Sequence, residues 1–311
     1  MRVLAAALLA ALAVSSLASA APQAKWQRAP QMPAARTEVA AAPYRGAIAV
    51  VGGFTAAGAT SSRVDLYQPG KRRWRRLPGL PVVTNHAMAV SAGGKLYVVG
   101  GYAQGLGLPR RDAFVFDGTR WSRLEPMPDG RAAAGAAIVD GKLYVVGGIS
   151  LASADLAREA LVLDLASGKW SAVAGPTPRE HLAVTSAGGV VYALAGRLGD
   201  LSSNLDTFES FSPATGTWTK LAPVPYRRGG TGAAVSRGLV VSIGGEEEGG
   251  TIGSVYGYDL ASKRWRKLPN LPTPRHGLGV VALKSRVFAI AGGTSPGLTV
   301  SGANEILDLS R

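Results

Sequence analysis

A short apolar run closing on glycine returns six times along this chain at nearly constant spacing, and no other feature restricts the fold as tightly. The runs are AIAVVGG at 47–53, LYVVGG at 96–101 and again at 143–148, VYALAGR at 191–197, LVVSIGG at 239–245 and VFAIAGG at 287–293. Their first glycines, 52, 100, 147, 196, 244 and 292, lie 47 to 49 residues apart. The tryptophans keep the same interval: Trp26, Trp74, Trp121, Trp170, Trp218 and Trp265. Self-similarity at this period predicts a radial array of small sheets.

Each unit reads as four short strands. In the third unit, Ala134–Val139 is a small apolar strand, and Asp140-Gly141 suits a tight hairpin turn. Lys142–Val146 follows and ends at Gly147-Gly148. Ala160–Asp164 and Lys169–Val173, the latter carrying Trp170, complete the unit, and the crossover GPTPR leads to the next. The chain starts with a lone fourth strand, Lys25–Arg28, and finishes with a lone third strand, 304–309. Pairing them completes the sixth sheet and removes the free edges of the ring.

These marks resemble the kelch repeat: Gly-Gly closing strand two, an aromatic just before it (Tyr97, Tyr144, Tyr192, Phe288) and Trp about 22 residues on. Gly196-Arg197 in unit four, and Ala49 and Ser242 at the aromatic position, depart from the pattern. The resemblance implies an all-β, six-bladed kelch propeller with four antiparallel strands per blade. Its repeats are expected at about 34–80, 81–128, 129–176, 177–225, 226–272 and 273–309 plus 24–28. The layout is similar to that of the N-acetylneuraminate epimerases (mutarotases), exported kelch propellers acting on sialic acid. Galactose oxidase also has kelch blades, but its cross-linked Cys–Tyr copper site is excluded because the chain has no Cys.

The crossovers and the loops after Gly-Gly share one face, the expected site face. Five crossovers carry Arg: Arg36, Arg131, Arg179, Arg227 and Arg275; unit two has Asn85-His86. Guanidinium forks bind carboxylate, sulfate or phosphate, so these residues are the expected ligand-binding set. An acidic glycan, a carboxylate ligand or an acidic protein segment is the expected partner. The competing reading makes the Arg structural, bonded to loop carbonyls and acids. Glu180, His181 and Glu247, the last within the run Glu246–Glu248, are candidates for acid–base catalysis; Arg197, Asp200, Arg110 and Arg111 are weaker candidates. The histidines, His86, His181 and His276, lie 95 residues apart, which suggests a three-fold arrangement. No metal or other cofactor is expected, because Arg179 and Arg275 would repel a cation.

Residues 1–20 read as a signal peptide: Met1-Arg2, an apolar run from Val3 to Leu17, and Ala18-Ser19-Ala20 before the cut. A periplasmic or secreted monomer comprising 21–311 is expected. The formal charge of +14 favours anionic partners. Its densest clusters, KWQR at 25–28, KRRWRR at 71–76 and SKRWRK at 262–267, fall on fourth strands of consecutive units, forming a basic outer arc suited to an anionic envelope surface. Nucleic acid is not expected, because stacking needs free aromatics and these Trp are expected to be buried.

Overall fold

The computed structural model describes residues 24–310. The signal-peptide reading of 1–20 lies outside the described residues.

Alternating apolar runs and glycine-bearing turns give six four-stranded antiparallel sheets. Blade 1 comprises Ala40–Tyr44, Ala47–Val51, Val64–Gln68 and Arg73–Arg76. Blade 4 comprises Ala183–Ala187, Val190–Leu194, Phe208–Ser212 and Thr217–Lys220. Blades 2, 3 and 5 repeat this order. Blade 6 takes three strands from the C-terminal end and its fourth, Lys25–Arg28, from the N-terminal end. Trp26 faces Leu307 and Arg28 faces Glu305 in that pairing.

The first strands of the blades pack in a closed ring. They line an axial channel of about 330 Å³ with small residues such as Ala89, Ala136 and Ala233. Apolar clusters fill the gaps between blades; Ala49, Val51 and Leu66 of blade 1 meet Leu96, Val98 and Phe114 of blade 2. Each Trp indole N–H donates to a carbonyl at or just past the end of the preceding blade's fourth strand, at 2.8–2.9 Å. The acceptors are Pro269, Pro30, Pro78, Glu125, Ala174 and Ala222. The Trp rings are half-buried rather than buried. They lie over strand-three aromatics of their own blade such as Tyr67 and Phe211, with ring centroids 5.0 and 5.2 Å apart.

The glycine pair needs one correction. Arg36, Arg179 and Arg275 each bond the carbonyl sixteen residues on: Gly52, Ala195 and Ala291. The equivalent pairs are therefore Gly52-Gly53 and Ala195-Gly196, with Ala291-Gly292 in blade 6. Both Ala take the left-handed conformation (φ 55° and 61°). Arg197 does not replace a glycine. It stands where Phe54, Tyr102 and Glu246 stand, in the first residue after the pair.

Candidate functional site

Two residues after each wedge position (Arg36, Thr84, Arg131, Arg179, Arg228, Arg275), the backbone turns left-handed: Glu38, His86, Ala133 and His181 at φ 51°, Gly230 at 64° and Gly277 at 56°. Five of these N–H groups donate to the carbonyl of the same position in the preceding blade, at 2.8–3.1 Å. Val39 N–H closes the circle on Gly277 O at 3.3 Å. This backbone ring caps the mouth end of the channel. Side chains from the crossovers and from the first residue after each glycine pair converge upon it.

The ring side chains form one network. Arg197 donates to Glu180 Oε1 and Glu246 Oε1, both at 2.8 Å. Glu180 Oε2 lies 2.5 Å from His181 Nδ1. His181 Nε2 lies 3.1 Å from His86 Nε2, which in turn is 3.2 Å from Glu38 Oε2. Glu38 Oε1 accepts from His276 Nδ1 at 3.1 Å, and Glu246 Oε2 lies 3.5 Å from the same nitrogen. His276 Nε2 donates to Ser295 O at 3.1 Å. An acceptor oxygen therefore lies at each nitrogen of His276, a setting that favours its charged form. Burial works against its charge, but Glu38 and Glu246 raise its pKa above the ordinary value. Burial opposes ionisation of Glu38, yet the imidazoles around it, His86 and His276 first, hold its carboxyl well below the carboxylate range. Burial pushes His86 down to about 4. Its ring sits between the edges of Phe54 and Tyr102. A cavity of about 90 Å³ on the axis is lined by Glu38, His86, Ala133, His181, Gly230 and Gly277 among others.

The expected Arg ring is not at the mouth. Arg36, Arg179 and Arg275 are fully buried inside their blades. Their guanidiniums bond strand-three acids: Asp65 at 2.7 Å, and Glu209 and Glu305 at 2.6 Å each. Other donors of Arg179 and Arg275 meet strand-two carbonyls, Ala193 O and Ala289 O. These Arg are wedges tying crossover to sheet. Arg131 is buried and paired with Asp129. In blade 5 the wedge is Arg228, bonded to Gly244 O and Ser254, while the expected Arg227 stays solvent-exposed beside Asp206. Thr84 takes the wedge place in blade 2.

Asn85, His86, Glu180 and His181 do meet at the ring. Glu247 does not: it accepts from the Tyr226 hydroxyl at 2.8 Å, and its neighbour Glu246 turns inward. Asp200 caps a short 3-10 helix, Arg110 pairs with Asp112, and Arg111 donates to Met127 O. The three-fold histidine reading fails, since His276 lies one position before the left-handed site that His86 and His181 occupy. The repulsion expected from Arg179 and Arg275 also fails, since both are neutralised within their blades. Glu38, absent from the expected set, was findable: it follows Arg36 at the offset by which His181 follows Arg179.

Six radial four-stranded blades, with aromatics and glycine pairs at a fixed period, define a kelch-type propeller. The model of the KLHDC2/KLHL20/DRC7 Kelch-repeats domain matches residues 85–293, and the chain belongs to the kelch-repeat family. Among solved structures, YjhT superposes with a TM-score of 0.73, over 88% of this chain and 96% of YjhT, at 19% identity. That likeness is one of fold. No curated protein matches in sequence.

Proposed function

We propose that this propeller is an exported binding protein that receives an acidic, partly apolar protein segment on its mouth face. The observation that carries this reading is the placement of exposed apolar side chains. Among the described residues, the exposed large hydrophobics are Val83, Leu106, Leu108, Leu198, Tyr226 and Leu298, all in crossovers or loops of that face. Hydrophobic groups gathered on one face mark a contact surface. Two clefts lie there. One, of about 630 Å³, has Tyr226 and Arg227 in its wall. The other, of about 640 Å³, has Leu108, Arg110 and Arg111. Arg111 and Arg227, exposed where the wedges are buried, are the cleft guanidiniums open to carboxylates of a ligand, whereas Arg110 is already paired with Asp112. A displayed peptide library panned on residues 21–311 should yield acidic, leucine- or aromatic-containing ligands. Their binding should fall at least about tenfold, roughly 1.4 kcal/mol, in Leu108→Asp and Arg227→Glu, and not in Arg237→Glu on the opposite face. Selected ligands indifferent to the first two substitutions would defeat the proposal.

A second reading, a mutarotase acting on an acidic sugar such as sialic acid, is favoured by the hydrogen-bonded Glu180–His181 pair. NMR saturation transfer between anomers tests it: exchange no faster than in buffer removes it.

A further inference from the structure

We propose that Glu38, His86 and His181 form a binding site for one divalent transition-metal ion of the zinc type, open toward the axial cavity. The side chains come from the same left-handed position in blades 1, 2 and 4. Their ligand atoms form a triangle with edges of 3.1, 3.2 and 4.0 Å: His86 Nε2 to His181 Nε2, His86 Nε2 to Glu38 Oε2, and His181 Nε2 to Glu38 Oε2. Three ligands of a tetrahedral ion with bonds of about 2.0–2.1 Å stand about 3.3 Å apart.

The hydrogen bonds behind the triangle fix which atoms face it. Asn85 Nδ2 donates to Thr60 Oγ1 at 2.9 Å and Gly105 O at 3.2 Å, which leaves Oδ1 toward His86 Nδ1 at 2.6 Å. His86 Nδ1 therefore carries the proton. His181 Nδ1 likewise donates to Glu180 Oε2. In the neutral rings, both Nε2 lone pairs then point at each other and at a carboxylate, an arrangement that requires something positive between them. An amide oxygen or a carboxylate behind each imidazole is the support that orients metal-binding histidines.

The charges agree. The carboxylates of Glu38, Glu180 and Glu246 gather here around the single guanidinium of Arg197, an excess of buried acceptor oxygens that a cation would offset. A non-glycine residue at φ near 50° is strained, yet these three blades keep Glu and His there while the others use Ala or Gly. Those small residues leave the 90 Å³ cavity beside the triangle, room for water or an anionic oxygen on a fourth coordination position. Glu38, 11% exposed, leaves a way in for the ion.

The test is calorimetric titration of the chelator-dialysed chain with Zn²⁺, and visible spectroscopy with Co²⁺. One ion per chain should bind, and Co²⁺ should give the intense d–d bands of low coordination number. Glu38→Gln and His181→Ala should each weaken Zn²⁺ by roughly 100-fold or more. Asn85→Ala, which acts through His86, should weaken it about 10- to 100-fold. Mg²⁺ should not compete, because imidazole ligands discriminate against it. The proposal is overturned if the unaltered chain binds no Zn²⁺ at equimolar concentration, whether because a shared proton holds the two Nε2 atoms or for any other cause. It is equally overturned if both ligand variants, shown folded by circular dichroism, bind as tightly as the parent, or if Mg²⁺ competes at equal concentration.

Discussion

Arg227 and Arg228 are neighbours in sequence with opposite fates. Arg228 is fully buried, and burial pushes its pKa down to about 10, whereas Arg227 lies in solvent. Sequence showed a basic residue in nearly every crossover but not which way each guanidinium turned, because that depends on partners far along the chain: Glu209 for Arg179 and Glu305 for Arg275, thirty residues on, and Ser254 for Arg228. Arg275→Ala should destabilise by about 3–5 kcal/mol in urea unfolding, since Glu305 would stay buried without its partner. Arg227→Ala should change stability by less than about 0.5 kcal/mol. Equal effects would mean that the wedge assignment is wrong. Asp112 offers a pH test. Burial would raise its pKa, but hydrogen bonds from Arg110 and Arg123 hold it below the ordinary value. Its ionised form therefore stabilises the fold above about pH 4, the unfolded value, and that contribution fades as pH falls through the lower folded value. The melting temperature of the parent should drop more steeply below pH 4 than that of Asp112→Asn; parallel profiles would contradict this.

At the scale of elements, Lys25–Arg28 looks dispensable in sequence yet supplies the outer strand of blade 6, with Trp26 bonded to Pro269. The closure was legible because an unpaired fourth strand at one end and an unpaired third strand at the other can satisfy their backbone groups only in each other. A chain beginning at residue 31 should fail to give a monomeric two-state unfolding transition, and size exclusion should show oligomer or aggregate. A stable monomer with the parental melting temperature would refute the closure. The convergence of loop tips was less legible. Glu38 and Glu246 reach the ring from different loops of different blades, and the position after the glycine pair carries Phe54, Tyr102, Arg197 or Glu246 with no common chemistry to mark it. The left-handed turn shared by Glu38, His86 and His181 is marked in sequence only by its offset of two from the wedge position, not by residue type.

For the whole molecule, charge is divided between faces. Among the described residues the crossovers and post-glycine loops carry as many Asp and Glu as Arg, so the positive excess there lies on the strands and the opposite face. Arg73, Arg75 and Arg76 of blade 1, Arg264 and Arg266 of blade 5, and Lys25 and Arg28 of blade 6 are exposed on adjoining blades. This arc is expected to hold the protein to anionic vesicles in low salt. Sedimentation should show that binding lost between 50 and 300 mM NaCl, and reduced several-fold when Arg73, Arg75 and Arg76 become Glu; salt-independent binding would contradict it. The centre of the mouth behaves differently, since there histidines and carboxylates gather around one arginine, Arg197. Anomalous diffraction at the zinc edge, from crystals of residues 21–311 grown with one equivalent of Zn²⁺, tests that most directly. The account predicts one strong peak about 2.0–2.2 Å from Glu38 Oε2, His86 Nε2 and His181 Nε2. A map with no peak on the axis, or with zinc held only by surface carboxylates, would contradict it.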